Sequence, residues 1–254
     1  MDVIRTRNRN AYARVRNGSV IISLPHSLKG GKADEIALNL YKRLQRDMLK
    51  KPEKYMHQGK KEEILFSNGE ALSILGRDFR FVVSSSDASN ARGRIVGSDV
   101  IIKIPASMDQ SQKEKAIASI GRRLISREIS GKVEERLNAI NAAYFGSAIS
   151  TVRLTNASTK WGSCSTSRRF DGAKILINFK LLFMPEECLD YVIVHELAHT
   201  KIHNHSREFW EIIGRVIPDY KERRRVLRDH AYTIKGPYTG PNAAAQESGY
   251  PNPA

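Results

Sequence analysis

Five residues, His195-Glu196-Leu197-Ala198-His199, followed by His205, have the types and spacing to do chemistry. Positions four apart on a helix share one face, so the two motif imidazoles can reach one metal ion. Three histidines leave a tetrahedral zinc with one open position, which separates a catalytic site from a closed structural one. Glu196 stands beside the first ligand, where it could take a proton from water in that position. The expectation is one Zn²⁺ per chain held by His195, His199 and His205, with Glu196 catalytic as general base in a hydrolysis. Two hydrogen-bonded core histidines on an apolar helix would spell the same motif. A chance match at this chain's His and Glu content is on the order of one in a hundred or rarer, however, and more histidines follow.

The third ligand depends on the path of the chain. His203, His205, Glu208, Glu211 and Glu222 all lie close enough in sequence to compete. A helix continued past His199 would carry His205 about 15 Å from His195 along the axis, too far to share an ion. The chain must therefore turn back. Asn204 tolerates the left-handed conformation that ends helices, and Ser206 can cap the next one. That leaves His205 in the turn, facing back. Its distance from His195 equals that in the metzincin pattern H-E-x-x-H-x-x-G-x-x-H, but Ile202 stands where that pattern needs Gly. A glutamate ligand such as Glu222 is the chief rival, and His203 could orient a ligand instead. Tyr220, His203 and His230 are the candidates to stabilise a developing oxyanion.

Several elements must position these residues. Pro185, Glu186 and Glu187 open the motif helix, with acids at its positive end. Ala173 to Phe179 reads as a strand, and as an exposed edge it could hold a substrate by strand addition. Trp161 to Ser165 reads as a tight Gly/Ser-rich turn, with Cys164 a conceivable thiolate block on the metal. After the motif come an amphipathic helix through Phe209, Ile213 and Ile217 and a basic helix over Lys221 to Arg228. Upstream, residues 12–24 read as a hairpin about the turn dipeptide Asn17-Gly18, with Pro25 ending it and a helix from Lys32 to about Lys50. Leu72–Leu75 and Phe79–Val83 form a second strand pair through Gly76-Arg77-Asp78. Residues 84–90 read as a loop, and a long helix runs from about Gln112 to Ala143 with a break at Ser130-Gly131. One plan recurs 80 positions apart without a gap. Gly18-Ser19-Val20-Ile21-Ile22-Ser23-Leu24-Pro25 matches Ser98-Asp99-Val100-Ile101-Ile102-Lys103-Ile104-Pro105.

The chain of 254 residues, 41% hydrophobic and 27% charged, fits a globular protein with an ample core. No apolar run is long enough to span a membrane, and the basic N-terminus lacks a signal-peptide core, so a cytoplasmic location is expected. Two cysteines, Cys164 and Cys188, exclude a disulfide scaffold. A net charge of +15 would attract nucleic acid, anionic membrane or acidic protein, but no zinc finger, RRM signature or basic-aromatic alternation sharpens that reading.

Trp161-Gly162-Ser163-Cys164, Ile177-Asn178, Pro185, Tyr191 through His199, Asn204-His205-Ser206, Phe209-Trp210 and Pro218-Asp219-Tyr220 together resemble the YgjP-like branch of the SprT-type zinc metallopeptidases. The match is dense over roughly 150–230. The resemblance implies an α+β, zincin-type (minigluzincin-like) peptidase domain, here with an N-terminal β-hairpin plus helix unit. It implies His195, His199 and His205 as zinc ligands, Glu196 as the catalytic residue, and a protein or peptide substrate. Related SprT and Wss peptidases act on proteins crosslinked to DNA, which makes nucleic acid a candidate partner through the basic surface. The expected division is 1–60 for the N-terminal unit, 61–235 for the peptidase domain and 236–254 for a disordered tail. A zinc-dependent amide hydrolase on a non-peptide substrate, or a zinc-stabilised binding module associated with nucleic acid, would use the same donor set.

Overall fold

The computed structural model describes residues 2–16, 19–50, 64–157, 160–166 and 171–230. Asn17-Gly18 and the expected tail, 236–254, lie outside the described residues. The chain divides into two compact units, Met1–Lys61 and Glu62–Ala254, and the fold is α+β.

Among the described residues, the first unit is a three-stranded sheet with one helix. β1 (Asp2–Thr6), β2 (Tyr12–Arg16) and β3 (Ser19–Pro25) lie in the order β1-β3-β2, and α1 spans Gly31–Lys50. β3 pairs antiparallel with β2, as the sequence predicts, and parallel with β1, which the sequence does not reveal. The alternation of β3 turns Ile22 and Leu24 towards Ala33 and Ala37 of α1, and these four form the buried centre.

The second unit begins with a mixed sheet. β4 (Ala71–Ile74), β5 (Arg77–Ser86), β6 (Arg92–Val96) and β7 (Asp99–Pro105) lie in the order β4-β5-β7-β6. The β4–β5 turn is Leu75-Gly76, both at positive φ, so Arg77 and Asp78 belong to the strand. β5 continues to Ser86, through part of the expected loop, because its end pairs with β7 as far as Pro105. α2 then runs unbroken over Gln110–Tyr144. Asp109 and Gln112 form a reciprocal capping box at its start, and the Ser130 hydroxyl bonds the Arg127 carbonyl without interrupting it. Gly93 lets this helix lie close on the sheet, since a Cβ there would stand 2.6 Å from Ile120 Cγ2.

The repeat seen in sequence extends to hydrogen-bond register. Asp2 opposes Ile21 and Tyr12 opposes Ser23; 80 residues on, Val82 opposes Ile101 and Arg92 opposes Lys103. The His26 amide bonds the Thr6 carbonyl at 3.0 Å, and the Ala106 amide bonds that of Ser86 at the same distance. Two segments, 2–50 and 82–130, therefore build one β-β-β-α module twice.

The rest of the second unit carries the motif. β8 (Ile149–Thr155), β9 (Gly162–Thr166) and β10 (Ala173–Asn178) form a sheet in the order β8-β10-β9. Two expectations are corrected here. Residues 162–166 are a strand rather than a tight turn, because β10 supplies a partner. β10 itself is paired on both sides and is no free edge. A 3-10 turn (Phe179–Phe183) leads to α3 (Glu186–Ala198), followed by α4 (Arg207–Val216) and α5 (Tyr220–His230). α3 is buried nearly all round. Its orientation is tied to α2 by Arg136, which donates to both carboxylate oxygens of the buried Asp190 and to Glu186 at 2.8 Å. The paired carboxylates hold the Arg136 pKa above its ordinary value, Asp190 most strongly.

Candidate metal centre

His195 lies in the last turn of α3. His199 follows as its C-cap with φ −66° and ψ −16°, still helical, so the i, i+4 geometry survives to the end of the motif. The turn beyond is held from two sides. Lys201 and Ile202 amides bond the Ala198 carbonyl. The Thr200 hydroxyl meets that of Ser147 at 2.7 Å, and Ser147 is clasped by Asn141 near the end of α2.

The chain reverses as expected, but by another device. Leu75 is the one non-glycine residue at positive φ among the described residues, so Asn204 is not left-handed. Its side-chain oxygen instead accepts the Ser206 amide at 3.1 Å, an Asx turn. Ser206 occupies the N-cap position of α4 without a side-chain cap bond, and its hydroxyl is buried and unpartnered.

This reversal brings His195, His199 and His205 together, with one ring nitrogen from each lying within 4.8 Å of the others. His205 Nε2 and His195 Nε2 stand 3.1 Å apart. His199 Nδ1 is 3.0 Å from the Ile202 carbonyl, to which it can only donate, so its Nε2 keeps a free lone pair. Burial, then the neighbouring imidazoles and Arg224, push the His195 pKa down to about 3, and the same influences lower that of His205. At those two positions the neutral ring, the form that can ligate a metal, is favoured. Phe209, fully buried, lies against all three imidazoles with ring centroids 4.6–5.0 Å away. Trp210 stacks on His205 at 5.7 Å and on Tyr220 at 5.5 Å, and Arg224 Cζ lies 5.1 Å from the Trp210 ring centre.

The Glu196 side chain lies against Gly162 of β9. It is 5% exposed. A Cβ on Gly162 would stand 2.5 Å from its Oε1, so only glycine leaves room for the carboxylate there. Burial pushes the Glu196 pKa up to about 7, against the opposing influence of the Cys164 amide, which donates to it, and of Lys160. A carboxyl near neutrality is suited to accept and return a proton.

The remaining sequence candidates stand elsewhere. His203 is exposed and outside the cluster; Glu211 pairs with Arg207 and Glu222 with Arg225; neither these nor Glu208 joins a metal-type group among the described residues. Cys164 is also outside it, so it does not block the triad, and burial with the charge of Glu196 drives its thiol up to about 11. Tyr220 serves as a stacking partner of Trp210, and the His230 side chain lies outside the described residues. Sequence reasoning missed Gly162, the Cys164 amide, Trp210 and Arg224. A glycine next to Trp161 was the available signal, but what it accommodates lies 34 positions away.

Imidazoles converging beside a buried carboxylate are the donor set of a hydrolytic metalloenzyme. The family model described as the YgjP-like metallopeptidase domain matches residues 9–230, and the chain belongs to that family. It is a metallopeptidase, a hydrolase acting on protein or peptide substrates. No curated protein matches the chain. Among solved structures, it is similar to the metallopeptidase zymogen of Pyrococcus abyssi abylysin, at 26% identity and TM-score 0.32 over 38% of this chain and 93% of that one. It is also similar to the zymogen of Methanocaldococcus jannaschii jannalysin, at 21% identity and TM-score 0.33 over 38% and 94%. No described helix is long and apolar enough to cross a membrane.

Proposed function

We propose that this metallopeptidase binds one zinc ion through the Nε2 atoms of His195 and His199 and a ring nitrogen of His205, and that Glu196 is its general base. The observation that carries this is the convergence of three imidazoles, one nitrogen from each within 4.8 Å of the others, beside a buried carboxylate whose pKa is raised to about 7. The donor set fits: nitrogen ligands at zinc bond lengths of about 2.0–2.1 Å stand a little over 3 Å apart, close to the His195–His205 separation. His195 Nδ1 is buried without a partner, so the ring has no competing use among the described residues.

Zinc bound there supplies a Lewis acid and lowers the pKa of the water it ligates towards neutrality. The chain does the rest. Glu196 takes a proton from the attacking water and returns it to the leaving amine. The Cys164 amide holds that carboxylate in place, and the Ile202 carbonyl fixes the His199 tautomer. β9, packed on α3 and unpaired on its outer side within its sheet, offers the edge along which an extended peptide would lie, in place of β10. This is the zincin-type arrangement that the sequence resemblance implies.

Replacing Glu196 with Gln tests the assignment. One equivalent of zinc should remain bound, while cleavage of an unfolded protein falls by about a hundredfold or more. Retained turnover in that variant would refute the general-base role. Loss of zinc in it would refute the ligand set.

A further inference from the structure

Two copies of one module in one chain allow each to act as the other's control. Over residues 17–50 and 97–130 the charge balance is nearly equal, six Lys and Arg against three acids in the first copy and six against four in the second. Over residues 5–16 and 85–96 it is not. The first copy carries Arg5, Arg7, Arg9, Arg14 and Arg16 and no acid; the second carries Arg92, Arg94 and Asp87. The excess is partly a reversal of sign. Arg7 stands where the counterpart has Asp87, and Lys29 where it has Asp109.

Registration places these charges at one pole. β1 and β3 run parallel and end together at Thr6 and Pro25, and β2 starts opposite Ser23. The 7–11 connection therefore crosses the same end of β3 from which the chain leaves for α1 through Lys29. The Arg5 guanidinium binds the two segments by donating to the Pro25 and Leu28 carbonyls. Arg7, Arg9 and Lys29 are exposed and in no ion pair among the described residues. Arg14 lies over the Tyr12 ring at 5.9 Å.

The fold does not need this charge, since its counterpart forms the same register without it. Clustered like charge opposes the compact state, so its presence calls for an anionic partner. The neighbours of the arginines say which. Asn8 and Asn10 alternate with Arg7 and Arg9, and their amides are groups that hydrogen-bond to sugars and phosphates. A bilayer would instead take up exposed aliphatic chains, and among the described residues of this unit the large exposed apolar ones, Val3, Ile4, Leu38 and Leu49, lie on β1 and α1 outside the pole. We propose that the pole of the N-terminal unit formed by Arg7, Arg9 and Lys29 binds the phosphate backbone of a nucleic acid.

Exchange of these three residues for those of the counterpart, Arg7→Asp, Arg9→Ser and Lys29→Asp, removes the charge with side chains the same fold already accepts. The full-length, zinc-loaded protein is titrated into a labelled single-stranded oligonucleotide at a series of salt concentrations. The expected result is a loss of affinity of about tenfold or more, with the slope of log affinity against log salt shallower by about 2 for three lost phosphate contacts. Arg92→Gln with Arg94→Gln in the other copy should change affinity less than about twofold. Unchanged binding by the triple variant overturns the proposal. So does equal retention by phosphatidylserine vesicles or polyglutamate that depends on the same three residues, since the occupant would then be another one. Peptide cleavage should survive the exchange, which keeps this outcome separate from the fate of the catalytic assignment.

Discussion

Residues 2–50 and 82–130 share strand order, register and even the hydrogen bond that closes the first strand, yet the second copy lies in the unit that carries the histidine triad. The difference lies on the outer face of the helix. α2 buries Ala118, Ile125 and Ile129, at 0–1% exposure, and the two isoleucines belong to the core that also holds the motif helix. The same positions of α1 are Leu38, Gln45 and Leu49, and the two leucines are 50% and 83% exposed. Beyond Lys50 the two sequences part: the first copy has Pro52 where α2 has Lys132 and continues to Tyr144. Those last turns of α2 bring Val133, Arg136 and Leu137, which hold α3. One backbone module thus serves with its helix face exposed or as part of the core that holds the motif helix, depending on the side chains of that face.

That contrast can be broken at several points. The largest effect is expected from Arg136→Met, which leaves the buried Asp190 carboxylate unpaired and should cost about 3 kcal/mol or more. Urea denaturation followed by near-ultraviolet signals of Trp161 and Trp210 would measure it, and a loss under about 1 kcal/mol would remove Arg136 as the tie between α2 and α3. Next comes a matched pair. Ile129→Ala should cost about 2–5 kcal/mol through the cavity it leaves, while Leu49→Ala at the equivalent place in α1 should stay within about 0.5 kcal/mol. Similar costs at both positions would mean the two helices are used alike. Gly162→Ala crowds Glu196 without touching the imidazoles, so peptide cleavage should fall about tenfold or more with bound zinc unchanged. The smallest effect is expected from Trp210→Leu. Removing the ring stacked on His205 should weaken zinc in a chelator competition by several-fold to about tenfold, and an unchanged affinity would show that His205 needs no such support.

Much of the site was legible because its spacing is local. The i, i+4 histidines follow from helical periodicity, and the start of α3 from Pro185 and two glutamates. That a continued helix could not deliver His205 was arithmetic on helix rise, and it demanded a reversal. The means of reversal was not legible, since an asparagine can turn a chain by its backbone or by its side chain. β9 was missed for a different reason. Gly162-Ser163-Cys164-Ser165-Thr166 has no apolar alternation, and it is a strand only because Ile175 and its neighbours pair with it. Asp2–Thr6 likewise has no signal until β3 stands beside it.

Residue types, helical faces, the strands of apolar β-branched runs and the repeat at 80 positions were determined by the sequence itself, because each rests on neighbours a few positions apart or on direct likeness of letters. The tertiary structure alone decided that the repeat shares a parallel third strand, that β10 is central and β9 the edge, and that Glu196 is buried under Gly162. Those outcomes join residues tens of positions apart, and hydrogen-bond pairing and burial across such separations depend on which surfaces meet when the chain folds.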